Sequence, residues 1–355
     1  MGLFKKKKKT ESSGNATVLT VAEIKEETPD SISIGFQVPD AEKSNFVFVA
    51  GQYLTLIADI DGVEVRRSYS ICGGEQDALL RIGVKRVKDG RMSNYLPNTL
   101  KIGDAVNVMY PAGNFRLEDG SKSYVAFAAG SGITPVLSQI KKTANDGGSY
   151  RLFYGNNSEE STMFKQELDA LSNDHISVGY SYTSKGDSRF TEATVSAILK
   201  ENSELLKADA FYLCGPQEMI ENAKAAITSF GVAPEKIHFE LFVAALPEDK
   251  KSKKKKAGKS KGAVPATVVL DGESILLSID PKGDSILDQL LDKGYDAPYS
   301  CKGAVCSTCK AKVLEGSARL DANFSLSDKE LEEGYILTCQ AHPTSDRITV
   351  DYDQL

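Results

Sequence analysis

With 355 residues the chain has room for two or three domains of ordinary size. Its 41% hydrophobic and 26% charged residues are the balance of a globular protein, not a disordered one, and no apolar run approaches the ~18 residues of a membrane-spanning helix. The formal net charge of -6 conceals two lysine runs, Lys5 to Lys9 and Lys250 to Lys261, set against otherwise acidic bodies.

Residues 1–16 read as a flexible basic tail. Without interleaved aromatics its lysines, like the later run, suit a solvated segment better than a nucleic-acid interface. The start, Met1-Gly2-Leu3-Phe4, lacks the apolar stretch of a secretory signal, and Lys6 stands where an acylation motif wants Ser or Thr. Cytoplasm is the expected compartment.

Residues 17–117 carry short alternating runs: TVLTVAEIKEE, SISIGFQV, GQYLTLIADI, LLRIGVKRV and AVNVMYP. This spacing predicts a small antiparallel β-barrel. At the end of one strand, Arg67-Ser68-Tyr69-Ser70 offers the groups a flavin needs: a cation for phosphate, an aromatic face for the ring and a hydroxyl near N5. Alone, such a tetrapeptide is an ordinary strand end. Further on, Gly90-Arg91-Met92-Ser93-Asn94 opens a helix-like turn, either a seat for pyrophosphate or a plain capped helix.

Residues 118–245 change character. The apolar run YVAFAAG leads into a helical stretch from Pro135 to Lys142; RLFYGN, ISVGYSY, FYLCGP and IHFELF then alternate with the helix-like STMFKQELDAL and EMIENAKAAITSF. Buried strands alternating with helices predict an α/β parallel sheet. Gly130-Ser131-Gly132-Ile133-Thr134-Pro135 follows the first strand directly, the context of a phosphate-binding turn although short of the full G-x-G-x-x-G. Cys214-Gly215-Pro216 ends another buried strand, where ligands of open parallel sheets gather. A lone Cys214 is also what a core thiol looks like. Cys72, His175 and His238 read as structural.

Residues 246–263, LPEDKKSKKKKAGKSKGA, read as a linker reaching about 23 Å as a coil. From 264 to 355 the pattern is α+β: a hairpin turning at Asp271-Gly272, a helix from Ser285 to Lys293 closed by Gly294, and a capping box Ser327-Asp328-Lys329-Glu330 opening a second helix. This segment holds sixteen acidic against eight basic side chains.

Four of the six cysteines fall in that last segment. Cys301, Cys306 and Cys309 form C-x4-C-x2-C, and Cys339 follows, the spacing of plant-type [2Fe–2S] proteins. Three thiolates come from one loop that must curl over the cluster; small residues there let backbone N–H groups approach the sulfurs. A structural zinc normally draws two close pairs of ligands, and here the second pair is missing, His342 being the only later histidine.

The tracts RRSYS, GRMSNYL, GSGITP, LFYGN, YLCGP and CKGAVCSTC, in this order, resemble the ferredoxin–NADP(H) reductase superfamily fused to a plant-type ferredoxin with a β-grasp-like fold. NFSLSDKELEEGYILTCQ is similar to the subgroup of phenylacetyl-CoA epoxidase reductase subunits. The resemblance implies FAD (with FMN the less favoured flavin), NADPH or NADH, and a [2Fe–2S] cluster. By position, it implies Arg67, Tyr69 and Ser70 at the flavin phosphate, ring face and N5 edge. Gly90, Arg91, Met92 and Ser93 fall at the FAD pyrophosphate, and Gly130, Gly132, Thr134, Gly215 and Pro216 at the nicotinamide nucleotide. Cys214 falls near nicotinamide C4 and Glu240 and Phe242 near the flavin, with Ser70, Cys214 and Glu240 as the catalytic set. Relatives preferring NADPH often carry arginine where this chain has Asn157; Lys185 or Arg189 are candidates to replace it.

The expected function is therefore an electron-transfer reductase, feeding a di-iron oxygenase component of the phenylacetyl-CoA epoxidase kind. Reductases for a ring hydroxylase, a desaturase or a hybrid-cluster protein share these motifs. A non-catalytic redox sensor is the alternative from another class.

Overall fold

The computed structural model describes residues 16–242 and 263–354. The expected basic tail and lysine-rich linker lie almost wholly outside the described residues.

The first unit is built from β1 (Ala16–Thr28), β2 (Ser31–Gln37), β3 (Tyr53–Ile60), β4 (Val63–Ser70), β5 (Leu80–Lys85), the helix α1 (Arg91–Thr99) and β6 (Ala105–Met109). The strands form one antiparallel sheet in the order β4-β3-β6-β1-β2-β5, and a bridge between Ile71 and Ile82 closes its two edges. Alternating apolar residues, among them Leu19, Val21, Ile34, Phe36, Leu54, Leu56 and Ile82, fill the interior, as a small closed barrel requires.

The second unit comprises β7 (Ser123–Ala129), α2 (Ile133–Asp146), β8 (Ser149–Asn156), α3 (Lys165–Leu171), β9 (Ile176–Tyr182), α4 (Glu192–Glu201), β10 (Ala210–Gly215), α5 (Gln217–Ser229) and β11 (Ile237–Leu241). All four pairings are parallel, in the order β11-β10-β7-β8-β9. The chain winds outward in both directions from β7, so a crevice opens between the C-terminal ends of β7 and β10. Two helices differ from expectation. Helix α2 starts two residues earlier and runs a turn further, to a left-handed Gly147. Helix α3 is shorter than STMFKQELDAL suggests, because Phe164 takes a left-handed conformation (φ 58°) immediately before it.

The third unit holds β12 (Val264–Leu270), β13 (Glu273–Ile279), α6 (Ile286–Asp292), β14 (Lys310–Glu315), β15 (Ala318–Leu320), α7 (Asp328–Glu332), β16 (Tyr335–Leu337), β17 (Ala341–Pro343) and β18 (Ile348–Asp351). The mixed sheet runs β13-β12-β18-β14-β16, with β12 and β18 parallel. Helix α6 covers it through Ile286, Leu287 and Leu290. Asp271 and Gly272 both take positive φ, as the two-residue hairpin turn demands. Ser285 caps α6, and Ser327 with Glu330 forms the capping box of α7.

The first two units are stitched together by ion pairs. Arg81 of β5 meets Glu167 of α3 at 2.6 Å, and Lys141 of α2 joins the same carboxylate at 2.8 Å. Buried hydrogen bonds from Ser138 to the Gly73 carbonyl (2.7 Å) and from Gln139 to the Phe115 carbonyl (3.0 Å) fix α2 against the barrel.

Candidate active site and iron–sulfur centre

At the crevice, β7 passes into α2 through Gly130-Ser131-Gly132. Gly130 is left-handed (φ 54°), and the space a side chain would take there is open. Gly132 needs to be glycine for a different reason: a Cβ would lie 2.2 Å from the Cys214 carbonyl oxygen. The turn and the end of β10 therefore touch backbone to backbone. The Thr134 hydroxyl donates to the Ser131 carbonyl at 3.0 Å, which closes the turn at the start of α2.

Three predicted residues from three strands meet beside this turn. Cys214, fully buried at the end of β10, lies in register with Glu240 of β11. Ser70, at the end of β4, comes close enough to the Glu240 carboxyl to draw its pKa down. Glu240 Oε2 is buried with no partner among the described residues, an orphaned atom in a region built to take a ligand. Burial pushes the Glu240 carboxyl up to about 8, against the opposing pull of Ser70. Burial, followed by the nearby Glu240 charge, also raises the Cys214 thiol well above its ordinary value. At neutral pH the site presents a neutral thiol and a proton-holding carboxyl. Phe242 follows, its N–H on the Gly215 carbonyl (3.4 Å).

The remaining predicted residues flank this centre. Arg67 and Tyr69 lie half-buried in the C-terminal half of β4, which ends at Ser70. Gly90 starts α1, and a Cβ on it would strike the Ser93 hydroxyl at 2.3 Å. Ser93 accepts from the Val87 N–H (3.2 Å), while Arg91 donates to the Ile60 carbonyl (2.8 Å). Pro216 caps α5. Asn157, Lys185 and Arg189 stand exposed at the outer ends of β8 and β9, away from the Ser70–Glu240–Cys214 group. Lys185 pairs with Glu159 (3.3 Å) and lies over the Tyr182 ring, 4.8 Å from its centroid.

In the third unit the four cysteines form two pairs, Cys301 with Cys306 and Cys309 with Cys339. Among the described residues no three His, Cys, Asp or Glu side chains lie within reach of one ion. Two thiols on each side suit a dinuclear cluster, in which each iron takes two cysteines, and not a single tetrahedral zinc. Lys302, Ala304 and Ser307 are left-handed (φ 51°, 64° and 53°), and these reversals turn N–H groups toward sulfur. The Gly303 N–H reaches Cys301 Sγ at 3.2 Å and the Cys301 N–H reaches Cys306 Sγ at 3.4 Å. The Cys306 thiol, then these and neighbouring N–H groups, pulls Cys301 down to about 6. Cys309 is anchored by its carbonyl, which accepts from both N–H and hydroxyl of Thr338 (3.1 and 2.9 Å). His342 is turned to Asp321 (3.0 Å) and takes no part in the cysteine group.

One further site residue carries no signal in the sequence. Tyr53, 3% exposed, is the cross-strand neighbour of Ser70. Its hydroxyl donates to the Cys306 carbonyl and shares a 2.8 Å hydrogen bond with Thr308. A single side chain thus spans from the Ser70–Glu240 pair to the cysteine loop.

Comparison with known proteins agrees with this arrangement. Residues 18–117 match the oxidoreductase FAD-binding domain, 127–225 the oxidoreductase NAD-binding domain and 268–344 the 2Fe-2S iron-sulfur cluster binding domain. Together these define a nicotinamide-dependent flavin and iron–sulfur reductase, an electron-transfer component that uses FAD, NAD(P)H and a [2Fe–2S] cluster and serves an electron-accepting partner. The chain is 34% identical to a component of the 1,2-phenylacetyl-CoA epoxidase of Escherichia coli over 94% of its length and 97% of that protein. It is 32% identical to the ferredoxin reductase component of 3-ketosteroid-9-alpha-monooxygenase of Rhodococcus rhodochrous, over 95% and 97%. Its structure is similar to phthalate dioxygenase reductase, with a TM-score of 0.58 and 26% identity over 95% of this chain and 98% of that one. The chain belongs to the family of oxygenase reductase components that includes the phenylacetyl-CoA epoxidase component. No helix among the described residues is long and apolar enough to cross a membrane.

Proposed function

We propose that this reductase feeds a di-iron oxygenase component that epoxidises phenylacetyl-CoA, and that Ser70, Cys214 and Glu240 form the hydride-transfer site. The observation that carries the proposal is the meeting of these three residues at the ends of β4, β10 and β11, joined by Tyr53 to the cysteine loop. When bound, FAD would supply two-electron acceptance from NAD(P)H and one-electron delivery to the [2Fe–2S] cluster. Arg67 would hold the flavin phosphate and Tyr69 its ring face, with Gly90, Arg91, Met92 and Ser93 at the pyrophosphate. Gly130, Gly132 and Thr134 would seat the nucleotide phosphates at the start of α2, and Gly215, Pro216 and Phe242 the nicotinamide end. Cys214 lines the hydride path as a neutral thiol, which keeps charge away from the carbon that gives up hydride. Glu240 holds a proton at its carboxyl, close to Ser70. Cys301, Cys306, Cys309 and Cys339 would bind the cluster.

The likeness to the epoxidase component, at nearly full length, favours this acceptor. Six free cysteines, four of them poised as ligands, suit the reducing cytoplasm. The test is to combine the holoenzyme, NADH or NADPH, purified oxygenase component and phenylacetyl-CoA. Epoxide formed in step with NAD(P)H oxidation is the expected result. Tenfold faster coupling to a ketosteroid or ring-hydroxylating oxygenase would assign the acceptor elsewhere.

Two predictions arise from the site itself. Glu240 keeps its proton to about 8 in the folded protein and, at the ordinary value of 4.5, loses it much earlier once unfolded. The folded state binds the extra proton between those values, so the contribution to stability is largest below 4.5 and declines as pH rises to about 8. Glu240→Gln should remove this decline, seen as a wild-type minus variant melting difference that shifts between pH 5 and pH 8.5. The second concerns the coenzyme. Glu159 occupies Lys185, and the 2′-phosphate of NADPH would compete with it. Glu159→Gln should raise the NADPH-to-NADH ratio of kcat/KM by about three- to tenfold, the small effect being set by exposure.

A further inference from the structure

The third unit lies against the barrel through a face that borders the cysteine loop. Arg66, 7% exposed, reaches Asp296 at 3.0 Å and stacks over Tyr299, 4.8 Å from its ring centroid. Ser68 shares a 2.8 Å hydrogen bond with Ser300, Asn114 donates to Glu330 at 3.3 Å, and Val305 packs on the apolar cluster of the nucleotide domain.

The chemistry of this face is unusual in one respect: most groups that cross it keep a partner on their own side. Arg66 pairs with Glu64 of its own strand at 2.8 Å. Tyr299 also carries Lys302, 4.7 Å from its ring centroid. Ser68 has Thr55 at 3.2 Å, and Glu330 has Lys310 at 3.2 Å. Asp296 is half exposed, so water serves it. Separation of the two units therefore leaves none of these groups buried and unpaired, which is the large penalty in breaking a buried ion pair. Tyr53 is the exception, because both its hydrogen-bond partners lie across the interface.

We propose that Arg66 and Tyr53 are positioning residues that hold the cysteine loop beside the hydride site through an interface built to open, and that the opened face, centred on Asp296 and Tyr299, is where a basic acceptor protein docks. The acidic balance of residues 264–355 supplies the long-range attraction for such a partner. Asp296 and Tyr299 supply the local complement of an arginine, the role Arg66 plays in the closed form. Only the acceptor arm rests on the proposed function; the clamp stands on the intramolecular contacts alone.

The test uses the holoenzyme with Asp296→Arg, the charge swap Arg66→Asp/Asp296→Arg, and Tyr53→Phe. Asp296→Arg should raise the radius of gyration in X-ray scattering and slow cluster reduction by NAD(P)H about tenfold or more. Flavin reduction and the cluster's electron paramagnetic signal should stay as in the wild type. The swap should restore both compactness and rate. Tyr53→Phe, which loses both hydrogen bonds to the cysteine loop, should slow cluster reduction about fivefold or more. For the acceptor arm, enzyme reduced beforehand with dithionite is mixed with cytochrome c, a basic protein. Asp296→Arg should lower the second-order constant at least about fivefold, with a weaker salt dependence than the wild type. Unchanged compactness and cluster reduction in Asp296→Arg, or no recovery in the swap, would overturn the clamp. An unchanged rate with cytochrome c would overturn the docking face while leaving the clamp intact.

Discussion

Cys309→Ala should abolish delivery of electrons to protein acceptors while leaving hydride acceptance intact. Cys309 is 3% exposed at the start of β14, and its carbonyl is tied to Thr338, one residue before Cys339. Removing its sulfur takes away half of the Cys309–Cys339 pair and leaves a gap in the buried cluster that also holds Ala304 and Ala311. Metal binding and folding are coupled in such a loop. The variant should therefore lose its cluster spectrum and melt in two steps, the cysteine-bearing unit first. Reduction of cytochrome c should fall by about a hundredfold or more, whereas ferricyanide reduction, served directly from the flavin, should stay within about twofold. Parallel loss of both activities would mean that the cluster is not the outlet.

The second large effect is expected at Gly132. Its φ of -60° is open to any residue, so the demand for glycine is purely steric. A methyl group would meet the Cys214 carbonyl oxygen at 2.2 Å and its carbon at 2.5 Å. Both are backbone atoms of a strand hydrogen-bonded on each side, to β7 and β11, so neither has room to yield. Gly132→Ala must push the phosphate turn away from β10 or displace Cys214. A shift near 1 Å at a reacting centre costs about a hundredfold in rate, and overpacking typically costs about 1–3 kcal/mol of stability. Flavin reduction by NAD(P)H in stopped-flow should slow by about that factor, with the cluster signal unchanged. Gly130→Ala makes the contrast: its Cβ would enter open space, and its cost should be confined to the left-handed backbone, about 1 kcal/mol.

Much of this is legible in the chain because it is local. The C-x4-C-x2-C loop, the Asp271-Gly272 turn and the Ser327–Glu330 box are each set by neighbours in sequence, and each forms as expected. Gly130 and Cys214 are recognisable by where they fall, at the ends of apolar strands. What escapes a sequence reading is non-local. Tyr53 lies 253 residues from Cys306, and nothing in GQYLTL distinguishes it from an ordinary core tyrosine. In RRSYS the sequence draws attention to the arginine next to the Ser-Tyr-Ser tract, yet Arg66 points to Asp296, 230 residues away. The break before α3 is hidden for another reason. STMFKQELDAL has helical periodicity throughout, but Phe164 is nearly buried, 2% exposed, in a left-handed turn, where tertiary packing outweighs local propensity.

The three left-handed residues of the cysteine loop carry a consequence for the life of the enzyme. None of Lys302, Ala304 and Ser307 is glycine, so each holds a conformation that disfavours a side chain by roughly 1–2 kcal/mol. Iron and inorganic sulfide would tie the thiols, and with them the amides that point at sulfur, into that shape; without them the strain favours loosening of the segment. A cell short of iron would then hold molecules that still consume reduced nicotinamide but have no one-electron exit. Their loosened loop would be the first place a protease cuts.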